Sequence, residues 1–314
     1  MRKVNLFTEN FFLRGRLRNF VKKIFNRQSL GPLKMQTNLV KGLNKLSIEV
    51  AIDKLPILPA QALCVLRGER VVENLVRRGY GNITLGPNLT AKSMAKIYDS
   101  HKHSIRIILA PSPEVKVVYM HFGIPEEKIA VWPVGIDTED FPDVATVPKI
   151  YDAMLYFKRR TRAELNQAVK LLESKKQKYK VLEYGNYTEI DFKNALQNCR
   201  YAVVLDGTES QGIALEEIMS SNLPMFVFDQ VGSSDPWERE NLRVTSVPYW
   251  SNICGTRIAT DMFGLSKQPF FSISETSESF SEFLHKLSEF NPRKYILENL
   301  ELVAQAKNFL KLVG

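Results

Sequence analysis

A rhythm limits what this chain can fold into. Short apolar runs of strand length alternate with longer segments of helical period, and the pattern restarts after residue 145. In the first half "VNLF", "SIEVAI", "ALCVL", "NITL", "IRIILA" and "IAVW" read as strands, and "GPLKMQTNLVKGLNKL" as a helix opened by Gly31 and Pro32. In the second half "YDAMLYF", "YKVLEYG", "YAVVLD" and "MFVFD" read as strands. The helices between them are "TRAELNQAVKLLESKK", "EIDFKNALQNC" and "QGIALEEIMSS". Strands separated by helices build parallel sheets covered by those helices. The expected class is therefore α/β, with two Rossmann-like domains. The boundaries expected are 1–140 for the first domain, 141–290 for the second, and 291–314 for a closing helix that returns toward the first. "WPVGIDTEDFPD" between them, rich in Pro, Gly and Asp, reads as a linker.

With 314 residues and 44% hydrophobic content, the chain can bury the cores of two such domains. No apolar run approaches the roughly 18–20 residues that cross a bilayer, and the basic start is interrupted too often to be a secretory signal. Cys64, Cys199 and Cys254 are odd in number and widely spaced, so they suggest neither a disulfide framework nor a metal-binding spacing. A reducing, cytoplasmic setting is expected. The whole net charge of +9 falls in the first 145 residues. Part of it lies in residues 11–27, "FFLRGRLRNFVKKIFNR". There Leu13, Leu17, Phe20, Val21, Ile24 and Phe25 share one helical face, and Arg14, Arg16, Arg18, Lys22, Lys23 and Arg27 fill much of the rest. Such a helix suits peripheral attachment to an anionic membrane surface; the plainer reading is a helix packed on its own domain. No nucleic-acid motif accompanies it, and no nucleic-acid partner is expected.

The stretch "ESQGIALEEIMSSNLPMFVFD", Glu209 to Asp229, carries the densest chemistry. If "VVLD" is a strand and a helix starts near Gln211, Glu209 lies in the loop at the strand's C-terminal end, where open α/β sheets bind ligands. The amides of Gln211, Gly212 and Ile213 then face outward at the helix start and, with its dipole, suit a phosphate. Gly212 leaves room for a close approach. Glu217 lies in the second turn, so one carboxylate can meet a sugar and the other a ribose. Ordinary solvated glutamates are the bland alternative.

The order Glu-Ser-x-Gly-Ile-x-x-x-Glu-x-Met, followed by Leu-Pro before an apolar strand, resembles the retaining glycosyltransferases of the GT-B fold. More narrowly, it resembles family 4 of those enzymes. "VWPVGIDTEDFPD" is similar to that family's interdomain stretch, and "ILAPSPEVKVVYMHFGIPEEKIAV" to the strand, serine and helix before it. The best matches cover about residues 106–229. The resemblance implies two Rossmann-like domains with a cleft between them. It also implies transfer of a sugar from a nucleotide-sugar to an unidentified glycan, lipid or small-molecule acceptor, with retained anomeric configuration and neither metal nor separate cofactor.

The resemblance assigns roles by position. Glu209 meets the donor sugar, Glu217 the ribose, and Ser210, Gln211, Gly212 and Ile213 the sugar and phosphate. Lys158, Arg159 and Arg160 of "YFKRRTR" neutralise the leaving diphosphate, with Lys158 and Arg160 grouped with Glu209 as catalytic. Gly185 and Tyr187 of "YGNY" flank the base. In the first domain Gly31 stands in the family's first loop, and Asn88 stands where a histidine is usual. That histidine is missing, as is the family's Lys-Gly after the basic cluster. Three alternatives remain open: a nucleotide-sugar epimerase, a phosphorylase of the same architecture, and a non-catalytic glycan- or membrane-binding relic.

Overall fold

A computed structural model describes residues 3–11, 31–55, 62–230, 245–260 and 273–314. The basic amphipathic segment expected at 11–27 lies outside them apart from Phe11, which closes a short 3-10 turn, Glu9–Phe11. The chain divides into two compact units. One holds residues 1–135 and 300–314, and the other residues 136–299. The boundaries expected at 140/141 and 290/291 thus fall at 135/136 and 299/300.

The first unit is a six-stranded sheet of β1 (Lys3–Phe7), β2 (Glu49–Ile52), β3 (Ala62–Val65), β4 (Ile83–Leu85), β5 (Ile105–Ala110) and β6 (Ile129–Val131). Their order is β2-β1-β3-β4-β5-β6, and every pairing is parallel. Helices α1 (Gly31–Lys45), α2 (Glu69–Arg77), α3 (Ala91–His101) and α4 (Pro113–His121) occupy the connections. Val71, Val72 and Leu75 of α2 and Met94, Ile97 and Tyr98 of α3 pack on Val65, Leu85 and Ile108 of the strands. Thr90 and Ser112 start α3 and α4 as side-chain caps, each accepting from an amide three residues on.

The second unit is a five-stranded parallel sheet. Its strands are β7 (Tyr151–Lys158), β8 (Tyr179–Glu183), β9 (Cys199–Asp206), β10 (Met225–Gln230) and β11 (Gly255–Thr260), in the order β11-β10-β9-β7-β8. Helices α5 (Arg162–Ser174), α6 (Glu189–Asn198) and α7 (Ile213–Ser220) connect them. Capping boxes open two of these: Thr161 with Glu164 for α5, and Thr188 with Asp191 for α6. Helix α8 (Ile273–His285) lays Phe280 and Phe283 on Tyr201 and Phe226. Strand β11 and helix α8 add to the elements expected from sequence.

The closing helix expected over 291–314 is two helices, α9 (Pro292–Asn299) and α10 (Leu302–Val313). Glu301 separates them by capping α10, its carboxylate accepting from the amides of Val303 and Ala304 at 2.9 and 2.8 Å. The unit boundary runs through this break. In the second unit, Arg293 of α9 donates to the carbonyls of Phe141, Ser220 and Thr138. In the first, α10 lies on α1 so closely that a Cβ on Gly42 would stand 2.8 Å from Ala306 Cβ. Trp132 Nε1 and Arg106 Nη1 donate to the carbonyls of Gln305 and Val313, fixing α10 against the sheet.

Candidate functional site

In the second unit β7 leads to β8 on one side, while β9 and β10 run outward on the other. The order reverses between β7 and β9, and an open parallel sheet leaves a crevice beyond the strand ends at such a point. The last paired residues there are Lys158 and Asp206. Just beyond, Arg159 adopts φ +52°, a left-handed conformation uncommon for a side-chain-bearing residue, and Gly207 donates its amide to the Lys158 carbonyl at 3.1 Å. A Cβ on Gly207 would lie 3.2 Å from Arg159 Cβ, so the glycine lets the two strand ends turn side by side.

Four charges meet at this edge. Glu209 Oε1 accepts from both Lys158 Nζ and Arg159 Nη2. Asp206 approaches the same cations, Oδ2 at 3.5 Å from Lys158 and Oδ1 at 3.7 Å from Arg159. Lys158 Nζ also sits 4.8 Å from the ring centroid of Tyr184, an exposed aromatic just past β8. The Arg159 side chain is 53% exposed, so one cation reaches solvent while Lys158 is enclosed.

Asp206 is 1% exposed, and its Oδ1 has no hydrogen-bond donor among the described residues. Burial, then the nearby Glu209, push its carboxyl well above the usual carboxylate range, while Lys158 and Arg159 pull it down. Neither Asp206 nor Tyr184 is among the sequence-derived site residues. Asp206 had a signal, an acid ending an otherwise apolar strand, "YAVVLD".

Glu209 is fixed from behind, its amide donating to the Thr245 carbonyl at 3.1 Å. Asp229 secures that loop, accepting from Thr245 Oγ1 at 2.8 Å and the Ser246 amide at 2.7 Å. After Glu209, Ser210 is exposed and Gln211 buried. Gly212 then precedes α7 with φ +89° and ψ 40°. A Cβ there would meet nothing closer than 3.8 Å, so the glycine answers the left-handed backbone rather than a lack of space. Ile213 begins the helix, whose first amides have no intrahelical acceptor and so can serve an anion.

Glu217 is 2% exposed and Glu216 is 1% exposed. Glu216 accepts from Gln211 Nε2 at 2.9 Å through Oε2 and has no partner for Oε1 among the described residues. Burial raises its carboxyl well above the ordinary range, against the hydrogen bond from Gln211. Buried polar atoms are rarely left unpaired. Asp206 and Glu216 both lie within electrostatic reach of Glu209, so two such exceptions gather at one loop.

Two expected roles are corrected. Arg160 does not face the edge. Its guanidinium is fully buried, pairs with Glu164 at 2.5 Å, and donates to the carbonyls of Asp206 and Phe228 and to Thr260 Oγ1. Its fork is committed to tying the ends of β9, β10 and β11 to the start of α5. Tyr187 is 8% exposed, with its ring stacked on Phe192 at 5.8 Å, so it belongs to the core and not to a base-flanking surface. Gly185 does stand in the open, with φ +91° and nothing near its Cα hydrogen.

In the first unit Gly31 begins α1, and Asn88 reaches the same corner, donating through Nδ2 to the Pro32 carbonyl at 3.4 Å. Among the described residues no group of three or more His, Cys, Asp or Glu side chains is gathered as a metal centre requires, and no helix is long and apolar enough to cross a membrane.

No protein-family model and no curated protein sequence matches the chain. Solved structures do. The lipopolysaccharide outer core galactosyltransferase WaaB in its apo form is similar at 11% identity over 99% of both chains, with a TM-score of 0.55. Sucrose-phosphate synthase from Thermosynechococcus elongatus is similar at 10% identity over 99% of this chain and 98% of its own, with a TM-score of 0.60. Anabaena HepE, solved in complex with UDP and glucose, is similar at 9% identity over 99% of both chains, with a TM-score of 0.59. Such likeness establishes the fold: two Rossmann-like α/β units of the GT-B type.

Proposed function

We propose that the protein is a glycosyltransferase that takes a sugar from a nucleotide-sugar and passes it to an acceptor with retained anomeric configuration, without a metal ion in the chemistry. The observation that carries this is the pairing of Lys158 and Arg159 with Glu209 at the β7–β9 reversal. Two cations at that point suit a diphosphate, and a carboxylate beside them suits a sugar that gains positive charge as its bond to phosphate breaks. The neighbours in fold are consistent with it, one being a galactosyltransferase and another holding UDP and glucose.

In this reading each group has a defined task. The donor's diphosphate takes Lys158 and Arg159, whose charge counters the charge growing on the leaving group. Glu209, released from the cations, turns to the sugar. Ser210 and the amides of Gln211, Gly212 and Ile213 line the approach, and Glu217 binds the ribose. The base lies toward Gly185, with Tyr184 in place of Tyr187 as the exposed ring. Arg160 acts only by positioning the strand ends.

Thermal unfolding with UDP, GDP or ADP in the presence of a metal chelator tests the proposal. A ligand at 100 times its dissociation constant adds about 2.7 kcal/mol, a readily measured shift. At least one of the three should stabilise the protein, and the matching nucleotide-sugar with acceptor should then release nucleoside diphosphate and give a product of the donor's anomeric form. A flat response to all three at millimolar concentration would overturn it.

A further inference from the structure

Lys158 and Arg159 do not stand ready for an anion, because two carboxylates already hold them. Of the two, Glu209 is partly open, whereas Asp206 is buried with one oxygen lacking any donor. With Asp206 ionised the cluster is balanced, two positive charges against two negative. A diphosphate that takes the cations brings negative charge of its own and strands both carboxylates.

The groups around Asp206 show where relief can come from. On β7, Lys158 lies beside it, and Tyr156 is a buried phenol whose ring meets that of Tyr187 edge-on. After β7 come Arg159 and Arg160, but Arg160 is spent on Glu164 and on backbone carbonyls, that of Asp206 included. After β9 comes Glu209, and after β8 come Tyr184 and Tyr187. The Ser246 hydroxyl donates to the Asp206 carbonyl at 2.9 Å, leaving the carboxyl alone. On β10, Asp229 is occupied by Thr245, Ser246 and Arg257. Among these described groups, Lys158 and Arg159 alone offer Asp206 compensating charge.

We propose that Asp206 competes internally with the donor's diphosphate, and that binding of a nucleoside diphosphate is therefore linked to uptake of a proton. The anion displaces both carboxylates from Lys158 and Arg159. A proton from solvent then settles on Asp206, the buried carboxyl left without a compensating cation. Glu209 is left free for the sugar. The proposal rests on the reading of this edge as a nucleotide-sugar site and deepens it by naming what the phosphates must displace.

Once the cations turn to phosphate, only influences that raise the Asp206 pKa remain: burial and Glu209. The bound form therefore holds its proton to a higher pH than the free form. Affinity rises as pH falls through the interval between the two values, by up to about tenfold per pH unit.

Calorimetric titration in two buffers of different ionisation enthalpy, from about pH 6 to about pH 9, measures the protons exchanged. UDP, GDP, ADP and inorganic pyrophosphate are the probes, on the full chain and on Asp206→Asn and Asp206→Ser. Subtracting variant from parent removes the probe's own ionisation. The parent should take up close to one proton more than either variant at some pH in that range. Both variants should bind more tightly than the parent above neutrality, with a flatter pH dependence. Because the Asp206 Oδ1 accepts no hydrogen bond, Asp206→Asn should fold, which circular dichroism checks, and the parent's own uptake needs no variant. Equal proton exchange in parent and variants overturns the linkage while leaving the nucleotide site intact. Uptake with pyrophosphate but no binding of any nucleotide overturns the nucleotide reading alone. Failure of all four probes overturns both.

Discussion

Arg160 and Glu164 form an ion pair with both side chains fully buried, their closest atoms 2.5 Å apart. The arginine belongs to a run of three basic residues, yet the fold uses it differently from its neighbours. Lys158 ends β7 and points along the open edge. Arg160, two residues on, turns inward to three strand ends.

Removing one partner of such a pair leaves a buried charge uncompensated. Arg160→Ala should cost about 3–5 kcal/mol in urea unfolding. Arg160→Lys should restore only part of it, because an ammonium cannot reproduce a planar fork that reaches Glu164, two carbonyls and a hydroxyl together. If Arg160→Ala unfolded like the parent but lost nucleotide binding, the arginine would belong to the phosphate site after all.

The fold was legible because burial of two sheets writes its own period into a chain. From "VNLF" to "MFVFD", each strand expected from an apolar run is present at or near its expected place. Two elements, β11 and α8, were missed for the same reason. "GTRIAT" and "ISETSESFSEFLH" are too polar to announce β11 and α8, and α8 is recognisable only through its contact with Tyr201 and Phe226. The break at Glu301 escaped because the apolar period continues across it, while the cap depends on where one carboxylate turns. At the site, loop position and charge were readable from sequence, but side-chain direction was not. Arg159 and Arg160 are adjacent and chemically alike, yet the first, at φ +52°, meets Glu209 at the edge and the second turns inward to buried carbonyls.

Glu216 should make stability fall with rising pH. Its folded pKa lies above the unfolded value, about 4.3, so above that pH the unfolded state ionises first and gains. Its contribution is fully present below the unfolded pKa and is lost as pH rises through the interval up to the folded one. Glu216→Gln removes the slope and can still accept from Gln211. The variant's advantage in unfolding free energy should therefore grow from pH 5 toward neutrality, with a slope of at most about 1.4 kcal/mol per pH unit. A constant difference across that range would mean that Glu216 is ionised in the folded protein.

Gly212→Ala tests the entry to α7. The left-handed backbone disfavours any Cβ by about 1–2 kcal/mol, although space for the methyl exists. Urea unfolding should show a loss of that size. Nucleoside diphosphate binding should weaken as well, because relaxing φ would shift the amides of the first turn. A stability loss with unchanged binding would place the phosphates elsewhere.

Glu217→Ala should weaken nucleoside diphosphate binding about 10- to 150-fold, the effect of losing a hydrogen bond to a charged group at roughly 1.5–3 kcal/mol. Inorganic pyrophosphate, which has no ribose, is the control and should bind the variant as it binds the parent. Equal losses with both ligands would show that the substitution disturbs the helix and not a ribose contact.

Glu209→Gln should separate binding from chemistry by moving them in opposite directions. In the ligand-free protein Glu209 holds Lys158 and Arg159, so its charge competes with an incoming diphosphate. Glutamine keeps the size but not the charge, and it frees the cations. Nucleoside diphosphate affinity should therefore rise modestly. Turnover should fall, because the carboxylate's proposed partner is a sugar that becomes positive only as its bond to phosphate breaks. An interaction made chiefly in the transition state appears in kcat and not in ground-state affinity. The expected loss is about 10²-fold or more, the scale for removing one electrostatic contact to developing charge. Transfer at the parent rate, with tighter product binding, would show that Glu209 guards the phosphate site without taking part in sugar transfer.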